Sequence, residues 1–281
     1  MRQISKIFLF ALAVLFFSSN YLWAFVDLGA VNNNITYTGY ENFYDKNSNG
    51  QIDVGDLFYG VAAITSIDFD STGISPDWGP SSGSNLLGYF LTEVTKIEVL
   101  GAADFRLTFG AASLDKDGLS TDPNGIFDEA DLAAKTVLTW FETPTGIDYT
   151  TLASSLSSVE NGPIWMSLTV DQGYWWSSVN SLVPGLATGT TIGTSWYGLN
   201  LLPGGQITYL LDINDPDEDL FKLDVNFYGN VDIQPSTGKP ADHIYSFYVS
   251  DPSVVATPEP STMLLLGAGL LGLGALARRR R

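Results

Sequence analysis

Ile164-Trp165-Met166-Ser167-Leu168-Thr169-Val170 decides the fold class. Ile164, Met166, Leu168 and Val170 fall on one side of an extended chain. Trp165, Ser167 and Thr169 fall on the other. This is the period-two pattern of a strand with one buried face. The alternation recurs at Phe105, Leu107 and Phe109, and at Tyr245, Phe247 and Val249. It recurs again where Phe221, Leu223, Val225 and Phe227 alternate with Lys222, Asp224, Asn226 and Tyr228. Turn-forming clusters separate these runs, as at Gly79 to Gly83 and Pro235 to Lys239. Frequent short strands with polar turns predict an all-β body, mainly an antiparallel sandwich or barrel, with at most one or two short helices. One segment reads two ways: a helix over Asp128 to Trp140, with Leu132, Ala133 and Val137 on one face, or a strand from Lys135 to Glu142.

The two ends differ from this body. Arg2 and Lys6 precede an apolar run, Ile7 to Phe17, which Ser18, Ser19 and Asn20 interrupt before Ala24. That order predicts a secretory signal peptide over residues 1–24. At the other end Pro258-Glu259-Pro260 precedes an apolar, glycine-rich stretch, Ser261 to Ala277, and then Arg278, Arg279, Arg280 and Arg281. The stretch is long enough to cross a thin bilayer, and the arginines favour the cytoplasmic face. Residues 257–281 in this order resemble the PEP-CTERM sorting signal of Gram-negative bacteria: a Pro-Glu-Pro motif, a transmembrane helix and a basic tail. The resemblance implies processing by an exosortase after transient anchoring in the inner membrane. Delivery to the cell surface or the exopolysaccharide matrix would follow.

Between these ends, residues 25–256 form one predicted extracellular domain. The 281-residue chain carries 13 basic and 31 acidic residues. Setting the ends aside leaves seven basic against 30 acidic residues, a net charge of −23. Such a charge repels nucleic acid and anionic membranes and suits divalent cations. There is no cysteine. Disulfides, thiol catalysis and Cys-ligated zinc are therefore excluded, and bound metal is one way to supply a missing cross-link.

The sharpest chemical pattern is residues 45–56. Asp45, Asn47 and Asn49 supply side-chain oxygens at positions 1, 3 and 5 of a calcium loop, and Gly50 allows the turn at position 6. Gln51 would offer its carbonyl, Ile52 would anchor the loop in the core, Asp53 can bind through water, and Asp56 closes the shell. Calcium, a hard cation, takes six to eight such oxygens. The pattern resembles EF-hand loops, with aspartate in place of the usual final glutamate, and the loops of dockerin modules, which accept aspartate there. Dockerin loops come as a close pair in a small helical module, so that resemblance covers the loop alone. An ion-free Asx-rich turn is the other reading. A second copy at residues 120–131 places Ser120, Asp122, Asn124, Ile126, Asp128 and Asp131 at the corresponding positions. Asp115 or Asp117 could reach in beside the weaker Ser120. A third acidic run, Asp212 to Asp219, lacks the turning glycine and reads as an exposed loop.

Little supports nucleophilic catalysis. His243 is the only histidine, and no Gly-x-Ser-x-Gly elbow is present. No dinucleotide or phosphate loop appears. A carboxylate pair for glycoside hydrolysis stays open, because 30 acids contain many pairs. Tyr174-Trp175-Trp176 and Trp196-Tyr197 could stack on sugars or pack a β core. The expectation is an exported, calcium-stabilised structural or adhesive protein of the surface or matrix, active in biofilm or aggregate formation. The alternative is a secreted polysaccharide-active enzyme. Exosortase is the expected processing partner, and exopolysaccharide is a candidate partner.

Overall fold

A computed structural model describes residues 33–68, 77–80, 84–183, 192–203, 205–206 and 226–255. The segments read above as a signal peptide and a sorting helix lie outside the described residues. So do the run Asp212 to Asp219 and the positions Phe221, Leu223 and Val225. Among the described residues no helix is long and apolar enough to cross a membrane.

Among the described residues nine antiparallel strands form one sheet: β1 (Asn33–Tyr44), β2 (Leu57–Asp68), β3 (Asn85–Gly101), β4 (Asp104–Ala111), β5 (Thr136–Thr143), β6 (Ile164–Val179), β7 (Gly193–Leu202), β8 (Phe227–Pro235) and β9 (Phe247–Val255). The order β2-β1-β9-β8-β7-β6-β4-β3, with β3 also paired to β2, closes it into a barrel. The long strands β3 and β6 diverge, and two short strands fill the seam between them. β4 pairs with β3 from Thr92 onward and with the C-terminal end of β6. β5 pairs with Asn85 to Phe90 of β3 and with the N-terminal half of β6. The expected sandwich or barrel is thus a barrel, and among the described residues it carries two short helices.

The ambiguous segment contains both candidates in sequence. α1 (Glu129–Ala133) is a single capped turn. Its cap, Asp128, accepts from the Ala130 and Asp131 amides, and Asp131 accepts from the Asp128 amide. Lys135 then takes a positive φ and β5 begins at Thr136. α2 (Leu152–Val159) starts at Thr151, which caps the Ser154 amide.

Two apolar clusters share the wall formed by β1, β2 and β3. The barrel interior takes Ile35, Phe58, Phe90, Leu107, Trp140 and Leu168, among others. The outer face carries Tyr40, Tyr59, Val61, Leu87 and Tyr89, which Val159 of α2, Ala241 and Tyr245 cover. The inner wall admits large rings because glycines face them. A Cβ on Gly88 would lie 2.8 Å from the Trp140 ring.

Two placements differ from the alternation. Pairing steps from Trp140↔Met166 to Phe141↔Ile164, so Trp165 is the extra residue of a bulge. The bulge turns Trp165 into the core, fully buried, and leaves Ile164 39% exposed. Tyr245 precedes β9 and belongs to the outer cluster, where its hydroxyl shares a 2.7 Å bond with Ser155. Phe247 and Val249 face the interior as their spacing suggests.

Candidate functional site

Residues 45–56 join β1 to β2. Gly50 and Gly55 adopt φ of 79° and 98°, which lets the chain double back. The Asp45 carboxylate accepts from the amides of Asn47 at 3.1 Å, Ser48 at 2.6 Å and Gly50 at 2.6 Å. Asn47 Oδ1 accepts from the Asn49 amide and Asn49 Oδ1 from the Gln51 amide. The side-chain amides of Asn47 and Asn49 both donate to Asp53 Oδ2, at 2.9 and 2.5 Å. These two bonds hold the Asp53 carboxyl below its usual range, the Asn47 bond more strongly. Asp56 is buried and accepts from the Lys46 and Asp53 amides. Ile52 is buried, and its amide donates to the Leu182 carbonyl. The loop therefore gathers Asp45, Asn47, Asn49 and Asp53 by direct bonds and fixes Asp56 beneath them.

The donor set is all oxygen, the chemistry a hard cation requires. The carboxylates face N–H donors, and among the described residues no three or more His, Asp or Glu side chains are grouped to hold a metal.

Residues 120–131 repeat part of this geometry. Gly125 has φ 70°, Phe127 is buried as Ile52 is, and the Asp128 amide donates to Asp131 as the Asp53 amide does to Asp56. Burial first, then the neighbouring Asp128 charge, raises the Asp131 carboxyl. The rest diverges. Ser120 Oγ donates to the Phe127 carbonyl. Asp122 is buried and fully engaged: Oδ1 accepts from the Tyr89 hydroxyl at 2.7 Å and the Asn124 amide, Oδ2 from the Ile126 and Phe127 amides. Burial and then the Asp122 charge push the Tyr89 hydroxyl well up. Asn124 Nδ2 donates to the same hydroxyl. Asp115 accepts from the Asp117 and Leu119 amides in a turn of its own. The second loop is thus stitched to β3 through Tyr89. Glu93 of β3 connects the first loop to the segment after β4: Lys46 Nζ lies 3.5 Å away, and Ser113 donates through its amide and its hydroxyl.

The aromatic clusters split between the two sides of the barrel wall. Trp175 and Tyr197 point inward, with ring centroids 5.5 Å apart. Trp176 and Trp196 point outward as a cross-strand pair, stacked at 4.1 Å, with the Arg106 guanidinium 4.9 Å from the Trp176 ring. His243 is exposed, 4.0 Å from Asp242.

Glu41 escaped the sequence reading. It lies on the inward face of β1, buried, beside a cavity of about 80 Å³ within the barrel. The cavity wall includes Tyr37, Phe90, Trp175, Tyr197 and Phe227. The signal was present: Ile35, Tyr37, Gly39, Glu41 and Phe43 place one carboxyl on an otherwise apolar face. Burial raises this carboxyl to about 7.

Residues 256–281 match the PEP-CTERM protein-sorting motif. That motif implies an exported protein sorted by exosortase. The match does not extend into the barrel. No curated protein and no solved structure matches the chain.

Proposed function

We propose that the barrel is a calcium-stabilised structural or adhesive body that works on the cell surface or in the exopolysaccharide matrix of a Gram-negative bacterium. The sorting motif supports export, and a signal peptide over residues 1–24 would begin it. Loop 45–56 is the observation that carries the metal: oxygen side chains at alternate positions, a positive-φ glycine, and an inward anchor at Ile52. Asp45, Asn47, Asn49, the Gln51 carbonyl, Asp53 and Asp56 would hold the ion. Bound calcium would screen the carboxylates and lock the β1–β2 connection. The second loop is the weaker candidate, because four donors already saturate Asp122. The outward Trp176–Trp196 pair is the surface offered to sugar rings, and it supports the adhesive side of the reading.

Extracellular calcium modules bind at about 0.1 to 1 mM. At about 1 mM calcium and a dissociation constant of about 0.1 mM, one site stabilises the fold by roughly 1.4 kcal/mol. For a body of this size that raises Tm by about 3–6 °C. Melting the purified protein in calcium and in EDTA, with Asp45→Ala alongside, tests this. The expected result is a calcium-dependent rise in the native protein and none in the variant. Superimposable melts of the native protein would refute the metal. Binding of matrix polysaccharide without turnover would favour the adhesive role. Turnover abolished by a single carboxylate change would favour an enzyme.

A further inference from the structure

We propose that the barrel interior is a binding site for a small aliphatic amine, with the Glu41 carboxylate as its counter-ion. Three observations carry this. The first is the space itself, about 80 Å³. Apolar cavities of about 150 Å³ are known to take up benzene, so this one calls for a shorter, slimmer guest.

The second is that Glu41 is the one carboxyl among the described residues of the wall. It is 9% exposed and makes no hydrogen bond or ion pair with any described residue. Trp140 Nε1 also has no partner, while several hydroxyls around Glu41 are paired with one another. Tyr37 shares a 2.9 Å bond with Tyr197, whose hydroxyl also meets Ser253. Trp175 Nε1 donates to Ser195, which shares a 2.7 Å bond with Ser177. A buried carboxyl without a partner costs stability unless something is bound to it.

The third is the sign of the site. Among the described residues that line the cavity there is no lysine, arginine or histidine. An anionic guest such as a fatty acid would face Glu41 with no compensating charge. An ammonium would gain the carboxylate, and the faces of Tyr37, Phe90, Trp175 and Phe227 would attract it further. The raised affinity of Glu41 for its proton fits this, since the same desolvation that retains a proton rewards a cation.

The probe is n-butylamine, with n-butanol and butyrate as size-matched controls, titrated into the full protein while tryptophan fluorescence is followed. Trp140 and Trp175 lie in the wall and report occupancy. At mildly alkaline pH, where Glu41 is ionised, the amine should bind at least about tenfold tighter than the alcohol, as expected for one desolvated ion pair. Butyrate should not bind. In Glu41→Gln, which keeps the side-chain shape, amine and alcohol should bind within about twofold of each other. Three results would overturn the proposal: no saturable amine binding, alcohol binding as tightly as the amine in the native protein, or an amine preference that survives in the variant. The first two need no variant, so a failure of Glu41→Gln to fold leaves the test intact.

Discussion

Replacing Glu41 with glutamine should remove a specific pH dependence of stability. Burial raises the Glu41 carboxyl from 4.5 to about 7 in the folded barrel. In the unfolded chain it returns to its ordinary value. Below that value both states hold the proton, and the contribution to stability is complete. As pH rises the unfolded chain releases the proton while the folded barrel retains it, so stability falls. Loss is complete once pH passes through about 7, where both states are ionised. A shift of about 2.5 units at 1.36 kcal/mol each gives about 3 kcal/mol. Tyr37, which interacts electrostatically with Glu41 from the same strand, stays neutral throughout this window. Burial and the bond shared with Tyr197 push Tyr37 well above its ordinary value. Every other carboxylate is common to the two proteins and cancels in the difference. Urea unfolding of the native protein and of Glu41→Gln at about pH 4 and about pH 8 reads this directly. Relative to the native protein, the variant should gain about 3 kcal/mol between the two conditions, or about 6–12 °C in Tm. Parallel stability curves would refute the placement of a lone carboxyl in the barrel interior.

Gly60→Ala should destabilise the barrel by about 3 kcal/mol, because backbone cannot move away as a flexible side chain can. The new Cβ would fall 2.1 Å from the Tyr40 carbonyl oxygen and 2.6 Å from Phe90 Cε1. A urea midpoint unchanged within error would refute the close approach of β2 to β1. Tyr89→Phe should cost about 1.5–3 kcal/mol, since it removes a donor to the buried Asp122 carboxylate. Its calcium-dependent shift in Tm should equal that of the native protein, and loss of the shift would move the metal to the second loop.

The fold class was legible wherever one strand face is dry and the other wet. β4 and β9 announce themselves through Phe105, Leu107 and Phe109, and through Phe247 and Val249. β2 and the first half of β3 do not. Leu57 to Ile64 and Leu86 to Leu91 are buried on both faces, one by the barrel interior and one by α2 and its neighbours. Such strands read as continuous apolar runs and lose their period. The bulge at Trp165 was illegible for a different reason, since register depends on the partner strand. The loop at 45–56 was legible because its spacing is local, and its bonds span only a few residues. The turn at 120–131 was legible in its glycine, its buried Phe127 and its final aspartate. The role of Asp122 depends on Tyr89, 33 residues away, and no local pattern contains it. Glu41 needed the identification of β1 first.

Closure of the sheet explains how a chain without cysteine can hold its shape outside a cell. A single open sheet would present unpaired strand edges, which invite pairing between copies. Here β3 and β6 are too long and too divergent for one neighbour to follow, and the seam is closed at two heights by β4 and β5. The wall of β1, β2 and β3 then lies in both apolar clusters at once, so disrupting either cluster exposes the same strands. Both oxygen-rich loops fasten to that wall: residues 45–56 connect β1 to β2, and Asp122 holds Tyr89 of β3. A cation in the first loop would add roughly 1.4 kcal/mol to a unit already made cooperative by its packing. Calcium would therefore tune the margin of the barrel, and chelation should lower the melting temperature by a few degrees and leave the sheet intact.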